Sequence, residues 1–379
     1  MKIAYVSSSY IPSSTANSVH VIRMCDAFVD NGHQALLLGR RPSTKGPSTP
    51  KEIRSYYGTR NIFPIQYYYH EGQNKSRLGN LGNTTLNFVS IANRLFQFRP
   101  DIVYGRDVYG CHVAATLGYQ TILESHKPLN PSSKIESLIL ERLTTSRRLK
   151  HLVTISIPLA KLISMSCHRV DLSSILVAHD AADPVPDMQL PEDWCGRPGR
   201  VHVGYCGSFY PGRGIGLMLE LAHHFPNMDF HFVGGSKDEA RDYCDVISEN
   251  TFFYGFVPPS KVYRYRNACD ILMAPYERKV TVSGGKGDTS NYMSPLKVFE
   301  YMSGGNAIIV SEIPVLHEVL TPGRNCIMAE PESLKAWVNA LIQLEDEGLR
   351  NHLGNNAKKD FLANHTWTKR AELVLQDPF

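Results

Sequence analysis

The chain has 379 residues, 42% of them hydrophobic, with a formal net charge of +4. That length leaves room for two domains of ordinary size, each with a full core, and the charge is too small to argue for a nucleic-acid partner. No run approaches the ~18 apolar residues of a membrane-spanning helix.

The opening "MKIAYVSSSYIP" has no extended apolar signal region, so a cytoplasmic protein is expected. "KIAYV" (2–6) reads as a strand. A helix follows from about Asn17, with Val19, Ile22, Cys25 and Val29 on one face, and Gly32 ends it before the strand "QALLL" (34–38). Between Arg40 and Arg77 stand eight Lys or Arg against two Glu, with Tyr56, Tyr57, Tyr67, Tyr68 and Tyr69 interleaved. This stretch reads either as a solvated connection with one embedded strand or as a surface for an anionic acceptor or anionic membrane lipid. "DIVYG" (101–105), "TILES" (121–125) and "HLVTIS" (151–156) are further strands separated by helical stretches. Such βαβ repetition implies a parallel sheet covered on both faces.

"DPVPDMQLPEDWCGRPGR" (183–200) is rich in Pro and Gly and lacks periodicity. It reads as a linker over 185–199, between a first domain at 1–184 and a second at 200–360. The alternation then resumes with "VHVGYCGS" (201–208), "MDFHFVGG" (228–235), "TFFYGFV" (251–257), "DILMAPY" (270–276), "NAIIVS" (306–311) and "NCIMAE" (325–330). A glycine-rich loop, "SGGKGD" (283–288), precedes the helix that begins near Ser294. The fold class expected is α/β, with two doubly wound Rossmann-like domains facing each other across a cleft. Such sheets bind ligands at the carboxyl ends of their strands.

Several chemistries fail on their spacing. In "GSFYPGRGIGLML", Gly212, Gly214 and Gly216 are spaced G-x-G-x-G, and the next strand ends Gly234-Gly235-Ser236 with no acid for a ribose, so a dinucleotide oxidoreductase is not supported. Lys286 is followed by Gly287, which breaks a P-loop. No H-E-x-x-H or cysteine cluster suggests zinc, and no G-x-S-x-G suggests a hydrolase. The eight cysteines are scattered without C-x-x-C and read as reduced, mostly buried thiols. The sequons at Asn74, Asn83 and Asn364 then carry no meaning.

"SPLKVFEYMSGG" (294–305) is the most informative stretch. Ser294 reads as an N-cap and Pro295 as the first helical residue. Lys297 then sits near a helix N-terminus, a place that favours anions, so a lysine there is unfavourable unless an anion lies between the two. Free N–H groups at Leu296 and Lys297, with the ammonium, suit a phosphate. Glu300 follows Pro295 by five residues, roughly 7.5 Å along the axis, about the distance from a diphosphate to its ribose hydroxyls. The same stretch also reads as a surface lysine and glutamate on an amphipathic helix.

The ordered set of motifs resembles family 4 of the retaining, nucleotide-sugar-dependent glycosyltransferases, which have the GT-B fold. The segment from "SSSYIPSSTANS" to "NGHQALLL" resembles the family's opening, whose loop covers the donor phosphates. "TILESHKP" resembles the strand that delivers a histidine, here His126, and "HLVTIS" ends in the recurrent Ser156. "LVAHDAAD" stands where the family has an Asn-Gly-x-Asp turn, and "VGYCGSFYPGRGIGLMLELA" carries Arg213-Gly214 in place of Lys-Gly. "FFYGFVPPSKVYRYRNACDILMAPY" and "SPLKVFEYMSGGNAIIVSEIPVLHEVL" match the donor-domain consensus. "HTWTKRAELVL" resembles the closing helix that crosses back to the first domain, here within 361–379.

The resemblance implies transfer of a hexosyl group from a nucleotide diphosphate sugar, UDP in preference to GDP, to a saccharide, lipid-linked or small-molecule acceptor in surface glycan synthesis. It also implies no obligatory metal. Arg213, Lys297 and the helix start would stabilise the leaving diphosphate, and Glu300 would anchor the ribose. Ser208, Ser294 and Leu296 would complete the nucleotide site. His126 would hydrogen-bond the sugar or the developing charge, and Asn17 and Ser18 would approach the acceptor or phosphates. Three positions depart from the family. Tyr292 replaces its first glutamate, leaving backbone near Met293 or Asp288 to hold the sugar. Ser208 replaces a common arginine. Ala16-Asn17-Ser18 replace paired glycines. Two alternatives remain on sequence grounds, a sugar-nucleotide epimerase on the same architecture and a non-catalytic nucleotide-binding scaffold. The helix "IESLILERLTTSRRLKH" (135–151), with Ile135, Leu138, Ile139 and Leu143, adds an expected peripheral contact with anionic membrane.

Overall fold

The computed structural model describes residues 1–42, 46–68, 77–167, 169–186, 189–244, 246–281 and 287–376, without the side chains of 77–84. Residues 43–45 and 69–76 of the basic stretch, and 283–286 of the glycine-rich loop with Lys286, lie outside the described residues. The chain divides into two compact units, Met1–His179 with Trp367–Phe379, and Asp180–Thr366.

The first unit is built on seven strands: β1 (Lys2–Tyr10), β2 (Gln34–Arg40), β3 (Ile65–Tyr67), β4 (Ile102–Gly105), β5 (Gln120–Ser125), β6 (Leu149–Thr154) and β7 (Ile175–Val177). Between them run α1 (Ala16–Asp30), α2 (Pro50–Tyr57), α3 (Arg77–Phe98), α4 (Val108–Thr116), α5 (Lys134–Thr144) and α6 (Ile157–Ser166). The sheet order is β3-β2-β1-β4-β5-β6-β7, and the paired strands are all parallel. Central strands buried on both faces read as unbroken apolar runs, as in the buried Ile3, Ala4, Tyr5 and Val6 of β1.

The second unit carries β8 (Val201–Cys206), β9 (Met228–Val233), β10 (Thr251–Phe253), β11 (Ile271–Ala274), β12 (Ala307–Ser311) and β13 (Ile327–Ala329). Its helices are α7 (Ile215–His224), α8 (Lys237–Ala240), α9 (Val262–Asn267), α10 (Leu296–Gly304), α11 (Leu334–Gln343) and α12 (Glu347–Asn364). The parallel order β10-β9-β8-β11-β12-β13 repeats the first sheet's arrangement. Two cores cover the sheet, one built around Phe299, Tyr301 and Phe361 and the other around Phe230, Trp337 and Leu341. In each sheet the strand order reverses beside the first strand, between β1 and β4 and between β8 and β11. Crevices at such points are where doubly wound sheets bind ligands.

Two expectations need correction. The stretch 185–199 is no free linker, because its described part packs into the second unit. The Trp194 ring stacks on His231 at 4.1 Å, and Arg197 binds Asp229 through its backbone N–H and its Nε, each at 2.9 Å. The Tyr265 hydroxyl donates to Asp193 at 2.6 Å. Pro and Gly remove periodicity, but an aromatic ring and a guanidinium are enough to anchor an irregular segment. The boundary falls at His179/Asp180, and the return falls at Thr366/Trp367, after α12 has ended. The returning helix is α13 (Trp367–Leu375).

Candidate functional site

The site in the second unit begins where β8 and β11 end. Tyr205 lies in β8, and Tyr276 follows β11. Their rings carry Lys297: its ammonium lies 3.9 Å from the Tyr205 centroid and 5.5 Å from that of Tyr276. The Arg213 guanidinium lies 5.4 Å from the same Tyr276 centroid. Aromatic faces attract cations, so two like charges can be held side by side here. Neither Lys297 nor Arg213 makes an ion pair among the described residues; Arg213 donates to the Thr281 carbonyl at 3.2 Å. Burial pushes the Lys297 ammonium pKa well below the lysine range, and Arg213 lowers it further. A like-charged pair of this kind is costly to keep without an anion.

The backbone around the pair is shaped by glycine. Gly207 has φ +149°, and a Cβ there would stand 3.0 Å from the Lys297 ammonium nitrogen and 3.2 Å from the Tyr205 hydroxyl. Gly214 caps α7 at φ +65°, where a Cβ would stand 2.1 Å from the Pro275 carbonyl. Only glycine allows such approach at such angles.

Helix α10 starts at Leu296, and Pro295 is its N-cap rather than its first residue. Pro295 is extended (φ −76°, ψ 121°) and offers no side-chain acceptor. The amides of Leu296 and Lys297 therefore have neither an intrahelical nor a capping partner. Ser294 does not cap the helix: it is buried, and its hydroxyl accepts the Asp180 N–H at 2.9 Å. Ser208 is exposed and contributes through its backbone, its carbonyl accepting from the Tyr205 hydroxyl at 2.9 Å.

Glu300 lies one turn into α10, but its carboxylate is not alone. Arg266 on α9 pairs with its Oε2 at 3.0 Å. Arg266 is 8% exposed, and its Nε has no hydrogen-bond partner among the described residues. The Oδ1 of Asp288 accepts the amides of Val280 (3.1 Å) and Ser290 (2.9 Å), so it serves the loop rather than standing open.

In the first unit His126 follows β5, and its Nε2 meets the Glu124 carboxylate. The same carboxylate receives Arg370 Nη2 at 2.7 Å, His20 Nε2 at 3.1 Å and the Tyr104 hydroxyl. Asn17 donates to the Ser9 hydroxyl at 2.5 Å, and its buried Oδ1 has no partner among the described residues. Ser18 is fully buried and committed to the fold. Its hydroxyl donates to the carbonyls of Ser13 (2.6 Å) and Thr15 (2.9 Å) and accepts from Tyr57. The expected ligand contact from Ser18 is therefore corrected. Ser156 caps α6 by accepting the Leu159 N–H.

Two clusters have metal-ligating types within reach of one another, His20–Glu124–His126 and His202–Asp229–His231. Each carboxylate already pairs with arginine, Arg370 in one case and Arg197 and Arg200 in the other. A cation there would displace a guanidinium or sit beside it.

Tyr205, Tyr276, Arg266, Glu124, His20 and Arg370 are the site residues that sequence reasoning missed. The two tyrosines had a signal, since they stand at the ends of the strands flanking the switch point. Arg266 and Arg370 had none.

Residues 213–376 match the family model described as glycosyl transferase-like. No curated protein sequence matches the chain. Among solved structures, sucrose-phosphate synthase from Thermosynechococcus elongatus superposes with a TM-score of 0.69 at 14% identity, covering 99% of this chain and 98% of the other. Anabaena HepE, solved with UDP-glucose, gives 0.69 at 15%, covering 99% and 98%. Staphylococcus aureus TarM, solved with fondaparinux, α-GlcNAc-glycerol and UDP, gives 0.70 at 11%, covering 99% of each chain. Likeness at such low identity speaks for the fold. The chain thus has the GT-B fold, and its residues 213–376 are similar to the glycosyl transferase-like family.

Proposed function

We propose that the protein is a retaining glycosyltransferase of family 4. It moves a hexosyl group from a nucleotide diphosphate sugar, UDP in preference to GDP, to a hydroxyl of a saccharide, lipid-linked or small-molecule acceptor. Surface glycan synthesis is the proposed setting. The observation that carries this reading is the pair Arg213 and Lys297 on the Tyr276 ring, without an ion-pair partner among the described residues, beside the uncapped start of α10. A diphosphate supplies the missing negative charge, and HepE, of the same fold, was solved with UDP-glucose.

The chemistry follows from that placement. The bond from the anomeric carbon to the diphosphate oxygen breaks, and the nucleotide diphosphate leaves with the electron pair. The acceptor oxygen bonds to the anomeric carbon on the face the leaving group vacates and passes its proton to the departing diphosphate oxygen. Arg213, Lys297 and the amides of Leu296 and Lys297 meet the growing charge on the leaving group, a preorganised electrostatic contribution. Glu300 holds the ribose and orients the donor. His126 is assigned to a sugar hydroxyl or the developing charge, and Asn17, through an Oδ1 without a partner among the described residues, to acceptor or phosphate. No metal takes part in this scheme. The proposed place of action is the cytoplasm, with peripheral contact to anionic lipid.

A thermal-shift panel of UDP, GDP, ADP and their sugars tests the reading, since a ligand at 100 times its dissociation constant stabilises by ~2.7 kcal/mol. Stabilisation by one nucleotide and its sugar is expected. No shift with any ligand ends the proposal, and an inverted anomeric centre in the product ends its retaining part.

A further inference from the structure

The reaction as proposed leaves one buried carboxylate of the first unit without a role. Glu124, the penultimate residue of β5, is 1% exposed. Its Oε1 receives Arg370 Nη2 from α13 and the Nε2 of His126, with His20 Nε2 of α1 3.1 Å away at ion-pair distance, while Tyr104 on β4 donates to Oε2. Three segments far apart in sequence, α1, β4 and α13, converge with the neighbouring His126 on one side chain. Burial alone raises a carboxyl's pKa, but the Arg370 guanidinium and the imidazoles of His20 and His126 reverse this and hold Glu124 well below the usual carboxylate range. An ionised carboxylate only accepts, so the bonded His126 imidazole presents an Nε2–H to it. In a neutral imidazole the other nitrogen, Nδ1, is then the acceptor.

The ring of His126 is packed as well as bonded. His20 stands edge-on to it at 4.7 Å and edge-on to Trp367 at 5.1 Å. Arg370 also donates to the carbonyls of Ala178 (3.1 Å) and His179 (2.8 Å), the last residues before the chain leaves this unit. The cluster is therefore fixed by β4, β5, α1 and the returning helix α13 together.

We propose that Glu124 is the positioning residue for His126: its carboxylate holds the imidazole in the Nε2–H form and in one orientation, so that Nδ1 is the atom that meets the substrate. This rests on the glycosyltransferase reading and on the role assigned there to His126. Glu124 acts through His126 alone and touches no reacting atom.

The test is a double-mutant cycle with Glu124→Gln, His126→Ala and their combination. The readout is nucleotide release with UDP-glucose, UDP-galactose, UDP-N-acetylglucosamine and GDP-mannose, using whichever the parent protein consumes fastest. Each single change should lower kcat about tenfold or more, with donor KM within about threefold. The combination should be no slower than His126→Ala alone. A second readout is the ring-nitrogen spectrum of 15N-histidine-labelled protein, with the His126 signals identified by their loss in His126→Ala. A glutamine offers both a donor and an acceptor, so Glu124→Gln should turn a single Nε2–H form into a mixture. If Glu124→Gln fails to fold, Glu124→Met with Arg370→Met replaces it, removing both buried charges at once.

An equal further loss of kcat from Glu124→Gln on the His126→Ala background would make Glu124 structural and overturn the proposal. So would an unchanged kcat or an unchanged histidine spectrum in Glu124→Gln. If His126→Ala turns over normally, the role of His126 fails and takes the proposal with it. If the parent protein neither binds nor consumes any of the donors, it is the glycosyltransferase reading that has failed.

Discussion

Arg213 and Lys297 face one phenol ring: the guanidinium carbon and the ammonium nitrogen lie 5.4 Å and 5.5 Å from the centroid of Tyr276. Two cations placed in this way, with no ion pair among the described residues, are the basis for the diphosphate site proposed above. Replacing either with alanine should remove ~3–4 kcal/mol of transition-state stabilisation, about 100- to 1000-fold in rate. Both variants should weaken binding of nucleoside diphosphate more than binding of nucleoside, as read by calorimetric titration. Equal losses for the two ligands would remove the diphosphate from this place.

The same pair predicts a pH dependence. Because burial and Arg213 depress the Lys297 pKa in the folded protein, the unfolded chain binds that proton more tightly. Its contribution to stability therefore rises with pH between the depressed value and the ordinary lysine value. Lys297→Met should flatten this rise and raise Tm at neutral pH. A bound diphosphate favours the charged ammonium, so binding should take up a proton and affinity should fall as pH rises through that interval. Titration of UDP at several pH values between the phosphate's own pKa of about 6 and the ordinary lysine value of about 10.4, in two buffers of unlike ionisation heat at each, would count the protons. Lys297→Arg should bind without uptake. Absence of uptake in the parent protein would contradict the prediction.

Glu300 should behave differently from the cations. Glu300→Gln keeps the shape and weakens a charge-assisted bond by ~1–2 kcal/mol. The loss should appear with nucleosides as well as diphosphates, because it acts on the ribose. A 2′-deoxy diphosphate should cost the variant less affinity than it costs the parent protein. An equal cost in both would mean that Glu300 does not hold that hydroxyl. Arg266→Met should also lower nucleoside affinity, since it releases the Glu300 carboxylate.

The membrane prediction narrows to two side chains. Ile135 is 58% and Leu138 47% exposed on α5, whereas Ile139 and Leu143 are in the core and cannot meet lipid. No described helix is long and apolar enough to cross a membrane. Flotation with vesicles containing anionic lipid at low salt should recover more protein than with neutral vesicles. Ile135→Ser with Leu138→Ser should reduce that recovery. Equal recovery on both vesicle types would end the idea.

Much of the fold was legible in the chain. All six strands read between 201 and 330 form the second sheet, because strands buried on both faces must be apolar throughout and are separated by helix-length stretches. The short β3 and β7 were harder to read: three residues each carry too little pattern to stand out, and pairing at the sheet edge makes them strands. The basic residue and the carboxylate of "SPLKVFE" were legible because helix spacing and the N-terminal dipole are local properties. The place of Pro295 was misread by one position, since whether a proline caps or opens a helix depends on its backbone angles, not its identity.

The partners of those residues were not legible. The sequence determined that Lys297 sits near a helix start and that Glu300 follows a turn later. Only the tertiary structure decided that Lys297 lies on Tyr205 and Tyr276, that Arg266 holds Glu300, and that Glu124 gathers Tyr104, His20, His126 and Arg370. Periodicity and capping report on neighbours within about four residues. A buried charge instead finds its counterpart wherever the packed chain brings one, here across 246 positions between Glu124 and Arg370. Leaving it unpaired in the interior costs several kcal/mol, of order 3–5, and no local pattern records where that partner stands.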